Sequence, residues 1–213
     1  SLLLSAPASA QQPATAAPTR ADTLRGDYGR YRANNDLLFY RLDIRVDPAK
    51  QFLTGRNTIR FRMLHDDNRI QIDLYAFWTI DRILLDRTPL KYTREMNAVF
   101  IDFPQTLTAG RTYDIDFYYS GMPEPTARFG CISFQKDPAG RPWITTACED
   151  AGASYWWPNK DQWRDEVENM RISVAVPNNL MDVSNGALAG KTDLRDGYTR
   201  WDWVVTYPIN NYS

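Results

Sequence analysis

"YRLDIRVDPAKQFLTGRNTIRFRM", residues 40–63, places Tyr40, Leu42, Ile44 and Val46 in strict alternation with Arg41, Asp43, Arg45 and Asp47. After the turn residues "DPAKQ" the alternation resumes, with Ile59, Phe61 and Met63 set against Arg60 and Arg62. A period of two is that of a half-buried β-strand, and the intervening turn chemistry joins two such strands into an antiparallel hairpin with one wet face. The same period returns in Ile70, Ile72 and Leu74, in Tyr113, Ile115, Phe117 and Tyr119, in Ile172, Val174 and Val176, and in Trp201, Trp203 and Val205. Shorter apolar runs, "TIDRILLD" at 79–86 and "NAVFIDF" at 97–103, fit further strands bounded by Pro, Gly, Asn or Asp. Nowhere does a helical period persist for three turns, which argues against strands alternating with helices in a parallel sheet. The expected fold class is all-β: a large antiparallel curved sheet or a sandwich.

Residues 1–24 are rich in Ala, Pro, Thr and Gln and poor in large apolar side chains, so they read as a leader outside the fold, with residues 25–213 as one β domain. Within the leader, "SLLLSAPASA" has the apolar run and small-residue ending of a signal-peptide tail, which points to export to the periplasm or the extracellular space. An Ala/Pro-rich tail without a targeting role is the other reading. A weak helical pattern lies in "DTLRGDYGRYRANN". With 25 basic and 26 acidic residues among 213 the formal charge is −1, too small to hold a polyanion, so nucleic acid is not an expected partner. No run of about 20 apolar residues marks a transmembrane span.

The titratable inventory excludes several chemistries. One histidine, His65, cannot supply a His-Glu-x-x-His zinc site, and two cysteines cannot supply a four-cysteine site, so no metal ligands are assigned in this chain. His65 sits in "LHDDNR" and reads as part of a solvated loop between strands. There is no Gly-x-Ser-x-Gly elbow and no phosphate-cradling glycine loop. The "RGD" at 25–27 and the "NYS" at 211–213 are short enough to occur by chance. Cys131 and Cys148 flank a Pro-Ala-Gly turn at 138–140 almost symmetrically; a hairpin there leaves open either one disulfide or two buried thiols.

The alternation breaks at "TTACEDAGASYWWPNKDQW", residues 145–163. Between this point and the strand "ENMRISVAVP" the chain carries Glu149, Asp150, Asp161, Asp165, Glu166 and Glu168, interleaved with Trp156, Trp157 and Trp163. Spacing alone allows an exposed acidic loop pinned by buried tryptophans, or a sugar site built from Trp faces and carboxylates. Glu149 and Asp150, being adjacent, point in opposite directions on an extended chain and make a poor acid–base pair. A single carboxylate at a strand end is better suited to a cation: at an effective dielectric of about 20, an ammonium roughly 4 Å away gains about 4 kcal/mol before desolvation.

The segment "TTACEDAGASYWWPNKD" resembles the stretch in the aminopeptidase N family of zinc exopeptidases where a Cys-Glu pair is followed by small residues, aromatics and a Pro-x-x-Asp. The hairpin at 40–63, "MDVSNGALAG" and "WDWVVTYPINNY" resemble the family's flanking elements in the same order, so the likeness runs from about residue 36 to the last residue. The resemblance implies the saddle-shaped all-β N-terminal domain of a zinc aminopeptidase, without its thermolysin-like catalytic domain. It implies that Glu149 binds the α-amino group of a peptide substrate. It also implies that Ala147 stands where the family often has Gln, with Asp150 as the neighbouring carboxylate that would compensate in part. No catalytic residue of the family has a counterpart here; the zinc cofactor would belong to the catalytic domain of the same polypeptide. The competing reading is a non-catalytic extracellular β module that binds peptides or glycans.

Overall fold

A computed structural model describes residues 17–124, 132–149 and 151–210. Two short helices, α1 (Arg20–Gly26) and α2 (Arg30–Ala33), precede thirteen strands. These are β1 (Asn35–Asp47), β2 (Phe52–Met63), β3 (Asp67–Asp73), β4 (Thr79–Leu85), β5 (Thr88–Pro89), β6 (Lys91–Glu95) and β7 (Ala98–Leu107), followed by β8 (Thr112–Gly121), β9 (Ile132–Lys136), β10 (Pro142–Thr146), β11 (Asn169–Pro177), β12 (Ala187–Asp193) and β13 (Tyr198–Val205). Eight of them form one sheet in the order β12-β13-β11-β1-β2-β8-β4-β5; β3, β7 and β6 form a second sheet, and β9 and β10 a hairpin.

The β1–β2 hairpin read from residues 40–63 is the spine of the large sheet, pairing Tyr40 with Ile59 and Val46 with Leu53. Its inward positions, Leu42, Ile59, Phe61 and Met63, are completely buried, as are Ile115 and Phe117 on the neighbouring β8. The second sheet closes the core from the other side with Ile70, Ile72, Val99 and Ile101, and Phe61 meets Phe103 at a ring separation of 6.2 Å. The outward positions carry a lattice of charge pairs: Arg60 on Asp114 (2.8 Å), Arg62 on Asp36 (2.5 Å), and Arg56 on Asp43. Exposed pairs of this kind contribute about 0–1 kcal/mol each, so they mark the wet face rather than hold the fold.

One pairing differs from a purely antiparallel expectation. β1 and β11 run parallel, with Leu42 beside Ile172 and Ile44 beside Val174. Alternation of apolar and polar residues specifies a face, not a direction, so the pattern in Ile172, Val174 and Val176 is blind to this. A parallel pair needs a long crossover; here the chain between β2 and β11 includes the entire second sheet, the β9–β10 hairpin and the acidic segment. That route carries residues 147–168 back across the molecule.

The leader expected through residue 24 overlaps α1. Thr19 and Asp22 form a reciprocal capping box, with the Asp22 N–H donating to the Thr19 hydroxyl (3.2 Å) and the Thr19 N–H to the Asp22 carboxylate (2.8 Å). Leu24 is buried, and Arg20 pairs with Glu95 at 2.7 Å. A single buried leucine gives too little apolar period for this short helix to be read from the sequence. His65 is exposed between β2 and β3.

Gly55 shows how tightly the large sheet is packed. A Cβ there would lie 2.3 Å from the Tyr119 ring, which is itself buried edge-on against Trp78 at 5.4 Å. Gly55→Ala is expected to destabilise the domain by about 1–3 kcal/mol through overpacking, read as a lowered midpoint in thermal or urea unfolding.

Candidate functional site

The segment from Ala147 to Glu168 is part interior and part surface: most of residues 151–160 are buried, while Glu149, Glu166 and Glu168 are exposed. Its backbone is sewn to the end of β3 by an isolated antiparallel bridge. The Asp73 N–H donates to the Asn159 carbonyl (2.7 Å), and the Asn159 N–H to the Asp73 carbonyl (3.1 Å). The Tyr75 N–H donates to the Ser154 carbonyl (3.0 Å), the Asn57 amide to the Pro158 carbonyl (2.8 Å), and the Trp78 indole to the Tyr155 carbonyl (2.7 Å). These bonds satisfy the carbonyls of a segment that has no ladder of its own, a condition for burying irregular chain. Trp157 packs edge-on against Tyr40 at 5.0 Å.

Two of the acidic residues are consumed by this docking. Asp165 accepts from the Leu37 N–H (3.1 Å) and from the ammonium of Lys160. The Lys160 side chain is fully buried and also donates to the Asn35 carbonyl at 2.8 Å. Burial pushes the Lys160 amine below its usual pKa range, and the Asp165 charge opposes that shift. Asp161 accepts from the Ser154 hydroxyl (2.5 Å), while its own N–H donates to the Asp73 carboxylate (3.0 Å). Asp73 in turn holds the buried guanidinium of Arg32 at 2.7 Å. Spacing in "NKDQW" gave no sign that Lys160 is interior; a long cationic side chain is normally exposed.

Glu149 differs from these: it is exposed, in a turn closed by the Gly152 N–H donating to the Cys148 carbonyl at 2.8 Å. On either side of it, Cys148 and Ala151 are both buried and form a small cluster with Tyr155, packed by Tyr75, Phe77 and Trp156. A solvent-facing carboxylate is thereby held between two sunken flanks. Gly152 permits the turn, at φ +80°, and a Cβ there would lie 2.2 Å from the Asp161 carboxylate. Ala147 is exposed just beyond the end of β10. The expected hairpin is present, with Ile132 opposite Thr146 as its last pair; Cys148 lies two residues further on, while Cys131 and Asp150 fall outside the described residues. Trp157 is buried and Trp156 is half-buried against the same core, whereas Trp163 is 75% exposed. Among the described residues no group of three or more His, Cys, Asp or Glu side chains could hold a metal ion, so zinc finds no donor set in them.

The chain belongs to the Peptidase M1 N-terminal domain family, whose model matches residues 37–212. In solved structures it is similar to an M1 zinc metallopeptidase from Deinococcus radiodurans, at 20% identity and a TM-score of 0.71, covering 84% of this chain and 41% of that one. It is likewise similar to a variant of the Deinococcus radiodurans enzyme bound to a Tyr-Ser-Ala substrate (21% identity, TM-score 0.71, 85% and 41% covered). A two-domain M1 zinc metallopeptidase variant bound to L-arginine matches at the same identity, TM-score and coverage. The chain thus spans about two fifths of the length of these structures. No match was found among curated proteins.

Burial pushes the Asp161 carboxyl up to about 6, opposed by the Ser154 hydrogen bonds and by Arg25 and reinforced by the charge of Asp73. Asp161 therefore holds its proton more tightly folded than unfolded, and its contribution to stability is greatest at low pH and lost as pH rises through about 6. Against Asp161→Asn, which cannot titrate, the wild-type domain is expected to lose relative stability between pH 5 and pH 7.5. Paired thermal melts at those pH values measure it, and a difference that is flat or rises with pH would contradict the assignment.

Proposed function

We propose that this chain is the N-terminal, substrate-anchoring domain of an exported zinc aminopeptidase, and that the Glu149 carboxylate binds the free α-ammonium group of a peptide. The observation that carries the reading is the placement of Glu149, exposed between the buried Cys148 and Ala151. An enzyme that removes terminal residues must detect the terminal charge, and a carboxylate on a docked turn does so with little ordering cost at binding. Fixing the ammonium sets which peptide carbonyl lies one residue away, so binding energy at the amine becomes registry at the scissile bond.

The relatives' names support the surrounding chemistry: they are zinc metallopeptidases, one with a Tyr-Ser-Ala substrate and one with L-arginine. Zinc would supply, when bound, an activated water and a polarised carbonyl; in this reading the catalytic domain holds it, and this domain's part is to bind and orient. Ala147 offers no polar contact where the resemblance has Gln, which leaves the amine with a larger share of its recognition from Glu149 and, in the same reading, Asp150. The catalytic domain of the same polypeptide is the implied partner. Export rests on the "SLLLSAPASA" segment, which lies outside the described residues.

In the full-length enzyme, Glu149→Ala is expected to lower kcat/KM for unblocked peptides about 100-fold or more, the scale of removing one partner from a close charge pair. Zinc content should be unchanged. A near-normal kcat/KM would place the anchor elsewhere.

A further inference from the structure

Arg94, on β6, donates to three backbone carbonyls of a single turn: Trp78 O (2.8 Å), Leu74 O (2.7 Å) and Tyr75 O (2.5 Å). It is half-buried, and burial holds its guanidinium below the usual pKa range. Arg60 and Arg62, on the wet face, each take a carboxylate. Arg94 instead spends its planar fork on carbonyl oxygens that converge from one bend, closed by the Trp78 N–H donating to the Tyr75 carbonyl (3.1 Å). The adjoining residue Asn97 grips the same bend, its carbonyl accepting from the Leu74 N–H and its side-chain oxygen from the Ala76 N–H, both at 2.9 Å.

That bend is the bed on which the Glu149 turn rests. The Tyr75 hydroxyl donates to the Ala151 carbonyl (3.2 Å), the Tyr75 N–H to the Ser154 carbonyl (3.0 Å), and the Trp78 indole to the Tyr155 carbonyl (2.7 Å). Tyr75 and Phe77 lie 4.8 and 5.1 Å from the Tyr155 ring and pack against Cys148 and Ala151, the described residues that flank Glu149. We infer that Arg94 is a positioning residue for peptide recognition: by fixing residues 74–78 it sets the height and orientation of the Glu149 turn, and so the affinity for a peptide ammonium it never touches. The inference rests on the reading of Glu149 as the amine anchor. Its chemistry is specific to arginine, because three divergent donors in one plane are needed and a lysine ammonium presents a single point charge.

The test is a double-mutant cycle in the full-length enzyme, with Arg94→Met, Glu149→Ala and both together, scored as kcat and KM on an unblocked peptide. Arg94→Met is expected to reduce kcat/KM roughly 10- to 100-fold, the scale of a displacement near 1 Å, with the loss concentrated in KM. In the Glu149→Ala background the same substitution should change kcat/KM by no more than about twofold, since the group it positions is gone. Wild-type kinetics for Arg94→Met, or losses that multiply across the two sites, would overturn the inference while leaving the Glu149 loss intact. A harmless Glu149→Ala would instead overturn the anchor reading and this inference with it. Should Arg94→Met fail to fold, Arg94→Lys keeps the charge but not the planar fork: an intermediate KM defect that vanishes in the Glu149→Ala background supports the inference, and a wild-type KM refutes it.

Discussion

Asp73 ties three parts of the molecule together. Its backbone pairs with Asn159, its carboxylate accepts from the Asp161 N–H and from Arg32, and Gln71 donates to it at 3.0 Å. One residue at the end of β3 thus joins the second sheet, the helical N-terminal region and the irregular segment that replaces a strand between β10 and β11. A buried carboxylate is tolerated because it is paired and hydrogen-bonded on several sides, and removing its ionic partner Arg32 would leave a buried charge uncompensated, at a cost of about 3–5 kcal/mol. Burial still pushes the Asp73 carboxyl above its ordinary range, so the junction holds through geometry as much as through charge.

From that junction the rest of the site follows. With Asn159 paired and Lys160 and Asp165 buried together, residues 151–160 are anchored to the core at several points. The chain passes from β10 into this docked stretch through a turn, which Gly152 permits and the Cys148 carbonyl closes. Glu149 stands at that turn. The parallel pairing of β1 with β11 belongs to the same constraint, because the crossover it demands is the path along which the docked segment is delivered.

Much of this architecture is written in alternation. The hairpin of residues 40–63 is legible because one face is wet and one is dry, so Leu42 and Ile44 contrast with Asp43 and Arg45. The β9–β10 hairpin is legible from its turn residues. By contrast, β12 is an exposed edge strand, "ALAGKTD", with no inner face to produce a period, and β6, "KYTRE", has little more. The helix α1 hides in leader-like composition, since one leucine does its packing. The family was legible through the ordered motifs around Glu149; nothing in spacing alone separates that residue from Asp161 or Asp165, which the fold ties to Ser154, Lys160 and the Leu37 N–H. Arg94 left no local signal at all, because the carbonyls it binds belong to a turn sixteen to twenty residues upstream.

The central claim is that a carboxylate on a docked turn recognises a peptide's terminal charge. Titration calorimetry on the zinc-depleted full-length protein, which would not turn the peptide over, comparing a dipeptide with its N-acetylated form, tests it directly when repeated with Glu149→Gln. The account predicts that the wild type favours the free amine by about 100-fold and that Glu149→Gln abolishes most of that preference while leaving affinity for the acetylated form unchanged. A preference that survives the substitution intact would contradict it.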